Sequence, residues 1–118
     1  MDYTDKLSQI KRDFLAVGST LSAIGDETRQ LIIMVLIDSG CPGMRVGEIT
    51  VKTHLSRPSV SHHLKILLDA KIIDCIKKGT MNFYYISPTT TLKDLKRIVE
   101  HIEELLESGI YKDDSCKH

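Results

Sequence analysis

The 118-residue sequence predicts an α+β fold that is mostly helical and contains one two-stranded β-hairpin. Apolar residues recur at helical spacing near both ends of the chain, over about residues 4–24 and 90–108. Between them, two runs rich in β-branched and aromatic residues flank Lys78-Gly79-Thr80, as expected of a hairpin. A chain of this length is expected to form a single domain over residues 1–118.

Composition narrows the class of protein. Hydrophobic residues make up 42% of the chain and charged residues 27%, which is typical of a folded protein. The longest apolar run, Leu31–Ile37, is far shorter than the ~20 residues that span a bilayer. The acidic start of the sequence lacks an apolar signal segment, so we expect a cytoplasmic protein without membrane contact. Three scattered cysteines do not form a disulfide framework and suit a reducing compartment.

The N-terminal part predicts helices. An apolar stripe with alternating steps of four and three residues begins at Tyr3, and Gly18 interrupts it. We therefore expect two helical pieces, over about residues 4–17 and 19–24. Asp26 is a predicted N-cap for a third helix over about residues 27–38, which is apolar on nearly every face and is expected to be the buried centre of the domain.

A helix-turn-helix is predicted over about residues 45–70. A Gly/Pro-rich break precedes a short helix over about residues 45–52, and Ser56 is placed to cap a second helix, Arg57–Ala70. One face of this second helix is apolar, with Val60, Leu64, Leu67 and Leu68. The opposite face is polar or cationic, which suits the floor of a DNA major groove.

The hairpin and the last helix complete the chain. The hairpin, over about residues 72–87, carries Lys77 and Lys78 at its tip, where they are placed to straddle a phosphate backbone. Cys75, on its first strand, is expected to pack inward. The last helix, over about residues 90–108, has a continuous apolar stripe.

Charge is unevenly distributed although the formal net charge is zero. Residues 44–80 have a balance of +4, whereas residues 1–43 and 81–118 each have a balance of −2. A basic block between mildly acidic arms is the pattern expected when one segment contacts phosphates. Chance unevenness on a solvated surface explains the same numbers, so charge alone leaves the question open.

The sequence resembles the ArsR/SmtB family of winged helix-turn-helix repressors over about residues 15–87. The resemblance rests chiefly on SRPSVSHHLKIL at Ser56–Leu67, followed by Gly79 and Tyr84-Tyr85. Ala23–Arg29 and Val46–Ile49 resemble the family's lead-in to its buried helix and the start of its helix-turn-helix. The resemblance implies a homodimer, joined through helices at about residues 4–24 and 90–108. It also implies a two-fold symmetric double-stranded DNA operator and release by a metal ion or another small signal.

We assign candidate DNA contacts by position. Residues at the helix start and on the hairpin are expected to meet phosphates, and residues in the middle of the polar face are expected to meet base edges. His63 lies nearer the apolar face and is expected to be a hydrogen-bonded packing residue. The candidate DNA contacts are Arg57, Ser59, Ser61, His62, Lys65, Lys77, Lys78 and Thr80.

No cofactor or metal is firmly implied. The family's thiolate metal site needs a cysteine where this chain has Arg45. The family's site on the last helix is half present, with His101 and Glu104, but zinc requires about four donors. A redox or sulfur-species sensor that pairs Cys41 with Cys116 is an alternative. The simpler interpretation, which we prefer, is that these are ordinary thiols.

An enzyme is not expected, because the sequence lacks a glycine-rich phosphate loop, a nucleophile elbow and an HExxH motif. A winged-helix scaffold for protein interactions is the other alternative. It would lack the continuous positive strip that a DNA-binding dimer needs.

Overall fold

The computed structural model describes residues 3–88 and 90–110. Five α-helices and one antiparallel hairpin follow in the order α1 (Tyr3–Ile24), α2 (Glu27–Ser39), α3 (Val46–Thr53), α4 (Arg57–Asp69), β1 (Ile73–Lys78), β2 (Met81–Ile86) and α5 (Thr90–Leu105). A π-helical turn at Leu106–Ile110 follows α5 and ends just beyond the predicted end of the last helix, at about residue 108. The predicted fold class is confirmed.

Helix α1 is a single helix, so the predicted break at Gly18 is wrong. An interior glycine costs a helix only about 1 kcal/mol relative to alanine. The buried side chains of Ile10 and Val17 lie in the same helix as Gly18, and their burial in tertiary packing outweighs that cost.

Helix α2 begins as predicted, because the side chain of Asp26 accepts a hydrogen bond from the backbone N–H of Arg29 at 2.9 Å. The prediction that this helix is the buried centre of the domain holds for one side of the helix only. Ile32 and Leu36 are buried, whereas Met34 and Ile37 are 62% and 64% exposed. Helix α2 packs against its neighbours through one side, and the apolar run continues around to the solvent side.

The core lies among α2, α3, α4 and the start of the hairpin, with Ile32, Ile49, Leu64, Leu67 and Ile73 all at most 2% exposed. The backbone of Met44 pairs with that of Tyr84, so the segment before α3 extends the hairpin by one bridge. The outer part of the hairpin projects beyond this core. Cys75 is therefore exposed, contrary to the prediction that it packs inward.

Helices α1 and α5 pack against each other and form an arm. Asp13 of α1 is buried and its side chain contacts the ring of His101 of α5. Lys6 and Gln9, earlier in α1, lie beside Glu104, later in α5, so the two helices run antiparallel. A short hydrogen bond between a carboxylate and an imidazole thus joins the two helices of the arm.

Replacing Asp13 by asparagine is expected to lower the free energy of unfolding by about 1.5–3 kcal/mol near neutral pH. Burial raises the pKa of Asp13, but hydrogen bonds from His101 and Gln9 and the charges of His101 and Arg97 outweigh burial and leave it below its ordinary value. The stabilisation is therefore complete above the ordinary pKa and disappears as the pH falls through the lower folded value. Urea unfolding across an acid-to-neutral series measures it.

The control for this prediction is Asp38→Asn, which changes an exposed carboxylate on α2. The parent and Asp13→Asn should converge in acid, while Asp38→Asn should follow the parent throughout. A deficit for Asp13→Asn that is equally large in acid and at neutral pH would contradict the role given to the ionised carboxylate.

Candidate nucleic-acid interface

Helix α4 presents the predicted polar face to solvent. Ser56 caps the helix, since its hydroxyl accepts a hydrogen bond from the backbone N–H of Ser59 at 3.2 Å. Val60, Leu64 and Leu67 fix the opposite face in the core. The exposed side chains are Arg57, Pro58, Ser61, His62, Lys65 and Asp69, and Ser59 is half-buried.

The two adjacent histidines of α4 have different environments. His62 is exposed, whereas His63 is half-buried and its Nδ1 lies 3.2 Å from Nη1 of Arg29. A guanidinium only donates hydrogen bonds, so Nδ1 of His63 accepts. Burial lowers the pKa of His63, which favours this neutral form. The prediction that His63 is a hydrogen-bonded packing residue is confirmed.

Arg29 positions α4, a role that sequence reasoning missed. Besides His63, its side chain donates to the carbonyl oxygens of Ala23 at 2.7 Å and Ser22 at 3.3 Å. The guanidinium therefore links the last turn of α1, the start of α2 and the middle of α4. Arg29 and His63 are 34 positions apart, so no local spacing signals their contact.

A cationic cleft separates the start of α3 from the hairpin. It has a volume of about 640 Å³. The side chain of Arg57 lies against the start of α3. One of its terminal nitrogens is 3.3 Å from the position that a Cβ atom on Gly47 would occupy. Arg45 donates to the carboxylate of Glu48 and to the sulfur of Met81, so it bridges the two walls. The other polar lining residues are Lys52, Thr80 and Asn82.

The cleft brings together two predicted contact residues and three unpredicted ones. Arg57 and Thr80 line the cleft, and Lys65 is exposed on α4. Arg45, Lys52 and Asn82 were not singled out as DNA contacts. Arg45 and Lys52 were part of the predicted basic block, which was the available signal, but only the packing of α3 against the hairpin places them beside Thr80.

The two lysines of the hairpin are placed differently. They occupy successive positions of β1, and side chains of successive strand residues point to opposite faces. Lys77 pairs with Asn82 and Lys78 pairs with Met81, and both partners line the cleft. The amine of Lys78 lies 6.0 Å from the ring centre of Phe83, and Lys78 is one of the residues that line a different cavity.

The candidate effector residues do not form a complete metal site in the described part of the chain. His101 and Glu104 border a cavity of about 50 Å³, and His101 contacts Asp13. No group of three or more potential metal ligands occurs among residues 3–88 and 90–110. Cys41 is exposed, and Cys116 lies outside the described residues, so their pairing stays an untested alternative to the preferred interpretation as ordinary thiols.

Comparison with known proteins decides the family. The sequence profile described as "Bacterial regulatory protein, arsR family" matches residues 26–74. The HTH-type transcriptional regulator MJ1325 of Methanocaldococcus jannaschii is 39% identical over 83 residues, which are 70% of this chain and 86% of that protein. The chain belongs to the ArsR family. The transcriptional repressor SdpR of Bacillus subtilis is 36% identical to this ArsR-family protein over 66% of the chain and 82% of SdpR.

Solved structures confirm the winged helix-turn-helix fold. An ArsR-like transcriptional regulator from Rhodococcus sp. RHA1 superposes with a TM-score of 0.70 at 21% identity, covering 80% of this chain and 84% of that one. This ArsR-family protein is a DNA-binding transcriptional regulator and not an enzyme. Among its described helices, none has the length and apolar character needed to cross a membrane.

Proposed function

We propose that this ArsR-family protein is a cytoplasmic, homodimeric repressor that binds a two-fold symmetric operator and is released by a small signal. The observation that supports the proposal is the polar face of α4 beside the cationic cleft. The helix is capped, and its buried residues hold it against the core. The exposed face is thereby available to a major groove. Repression is supported by the likeness to SdpR, a transcriptional repressor.

The homodimer is supported by apolar side chains that the arm leaves exposed. On α1 they include Phe14 and Leu21, which lie next to the buried Ile10 and Val17 on the helix surface. On α5 and the π-helical turn that follows it they are Leu92, Val99 and Leu106, which recur every seven residues. We call each of these rows of exposed apolar side chains the apolar edge of its helix. Because α1 and α5 run antiparallel, both apolar edges lie on one side of the arm, where a second copy would cover them.

Phosphate and base contacts are divided by position in this proposal. Arg57 and Thr80, in the cleft, and the hairpin lysines Lys77 and Lys78 hold the DNA backbone. Ser61, His62 and Lys65, exposed along α4, meet base edges, and the half-buried Ser59 contributes at the end of that face.

The test compares Arg57→Gln and His62→Ala on operator and random DNA over a salt series. Arg57→Gln should weaken binding to both DNAs alike and reduce the salt slope by about one unit per protomer. His62→Ala should cost about 1–3 kcal/mol per half-site on the operator only. Fluorescence anisotropy with an operator selected from a random pool provides both measurements.

The control for charge is Lys93→Gln, which removes an exposed cation from α5 and should leave the slope unchanged. An unchanged slope for Arg57→Gln would contradict the phosphate assignment. Equal weakening of both DNAs by His62→Ala would mean that His62 does not read bases. Absence of operator preference in the parent protein would reject the proposed function itself.

A further inference from the structure

A second cavity, of about 530 Å³, lies between the end of α2 and the hairpin. We refer to it as the wing cavity. Leu36, which is 2% exposed, lies on its inner side, and the exposed side chains of Ile37 and Ile76 lie at its opening. Its volume falls within the range of about 300–1,000 Å³ that is usual for small-molecule sites.

The lining is apolar except at one end. Leucine, isoleucine, proline and tyrosine side chains supply most of the surface, and Lys78 is the single charged residue among the described residues that line the cavity. Among the described residues, no carboxylate oxygen lies within 4 Å of the Lys78 amine, which lies over the face of Phe83. An apolar chamber with one ammonium group is complementary to a molecule that has an apolar body and one anionic group.

We propose that the wing cavity binds a small apolar carboxylate, whose hydrocarbon part lies among Leu36, Ile37 and Ile76 and whose carboxylate pairs with Lys78. The inference rests on the proposed function, since it names the class of signal to which the repressor responds. The cavity walls come from both the helical core and the hairpin. A ligand that fills the cavity therefore contacts the element that carries the DNA-binding lysines.

The proposed ligand and DNA compete for the amine of Lys78, and this competition couples ligand binding to DNA binding. Lys78 is assigned to DNA phosphates when the cavity is empty, and a bound carboxylate neutralises the same ammonium group. The carboxylate thus weakens operator binding. By thermodynamic reciprocity, operator DNA must weaken carboxylate binding by the same factor.

The test is calorimetric titration of the full chain with decanoate below its micellar concentration, and with decanol as the neutral counterpart. Decanoate should bind at one site per protomer and at least about tenfold more tightly than decanol. Ile37→Glu places a repelling carboxylate at the opening and should weaken decanoate by at least about tenfold, whereas Ile37→Lys should strengthen it. Ile37 is outside the proposed DNA surface, so both variants should retain operator affinity.

The matched control is Met34→Glu, which introduces the same charge on the same helix, at a residue that is 62% exposed and does not line the cavity. It should bind decanoate like the parent. Lys78→Gln should bind decanoate and decanol equally, and Cys41→Ser should leave binding unchanged, since no thiol chemistry is involved.

Several results would overturn the inference. They are no decanoate binding, equal affinities of the parent for decanoate and decanol, and equal weakening by Ile37→Glu and Met34→Glu. Decanoate binding without loss of operator affinity would overturn its regulatory part. These outcomes are separable from failure of the proposed function, because decanoate is titrated without DNA and operator binding is measured without decanoate.

Discussion

Val99→Glu is expected to convert the proposed homodimer to a monomer and to weaken operator binding by at least about a hundredfold. Val99 is 49% exposed and stands at the middle of the apolar edge of α5. A carboxylate is easily hydrated there in a monomer but would be buried without a partner in the dimer. Each monomer then binds one half-site, and the gain from simultaneous binding of two half-sites is lost.

Light scattering and gel shift measure the two effects. The matched control is Leu15→Glu, because Leu15 is also an apolar residue of the arm, is 87% exposed, and lies on the side of α1 away from the apolar edge. Leu15→Glu should remain dimeric and bind operator like the parent. A dimeric Val99→Glu protein with unchanged operator affinity would place the interface elsewhere.

Gly43→Ala is expected to lower the free energy of unfolding by about 3 kcal/mol or more. Gly43 has φ of +106°, a conformation that L residues rarely adopt. An added Cβ would overlap the carbonyl oxygen of Tyr84 and lie 2.9 Å from its carbonyl carbon. Since both atoms are backbone, relief requires separation of Met44 from Tyr84, which breaks their hydrogen bonds of 2.9 and 2.8 Å.

Gly79→Ala separates this clash from backbone strain. Gly79 also has positive φ, at +65°, but nothing lies within 4 Å of an added Cβ. Its substitution should therefore cost only about 1 kcal/mol. Urea unfolding of both variants gives the comparison. Equal losses would mean that strain alone, rather than the contact with Tyr84, makes alanine unfavourable at Gly43.

Elements with strong local signals could be predicted from the sequence. Capping by Asp26 and Ser56 depends on residues three positions apart, and the hairpin depends on a glycine turn between β-forming runs. Gly18 misled the prediction because the continuity of α1 depends on packing against α5, which is remote in sequence. The solvent side of α2 was missed for a related reason. Apolar composition does not show which face other elements cover.

The candidate nucleic-acid interface could likewise be predicted from the sequence only where its residues are close together in the chain. The exposed face of α4 could be predicted because apolar residues recur every three or four positions within this one helix and leave the polar residues on the opposite face. The contact of Arg29 with His63, and the approach of Arg45 to Met81, join residues that are 34 and 36 positions apart. Single-sequence periodicity contains no information on such pairs. The wing cavity likewise forms only where α2 meets the hairpin.

The hydrogen bonds of Arg29 have a consequence for the helical phase of the operator. They join the last turn of α1 to α4, so α4 keeps a fixed orientation relative to the arm. In the proposed dimer, the two copies of α4 then have one separation and one relative twist. B-DNA completes a turn in about 10–10.5 base pairs, so one base pair inserted between half-sites rotates one of them by about 35° around the duplex axis. A protein built in this way accepts very few half-site spacings.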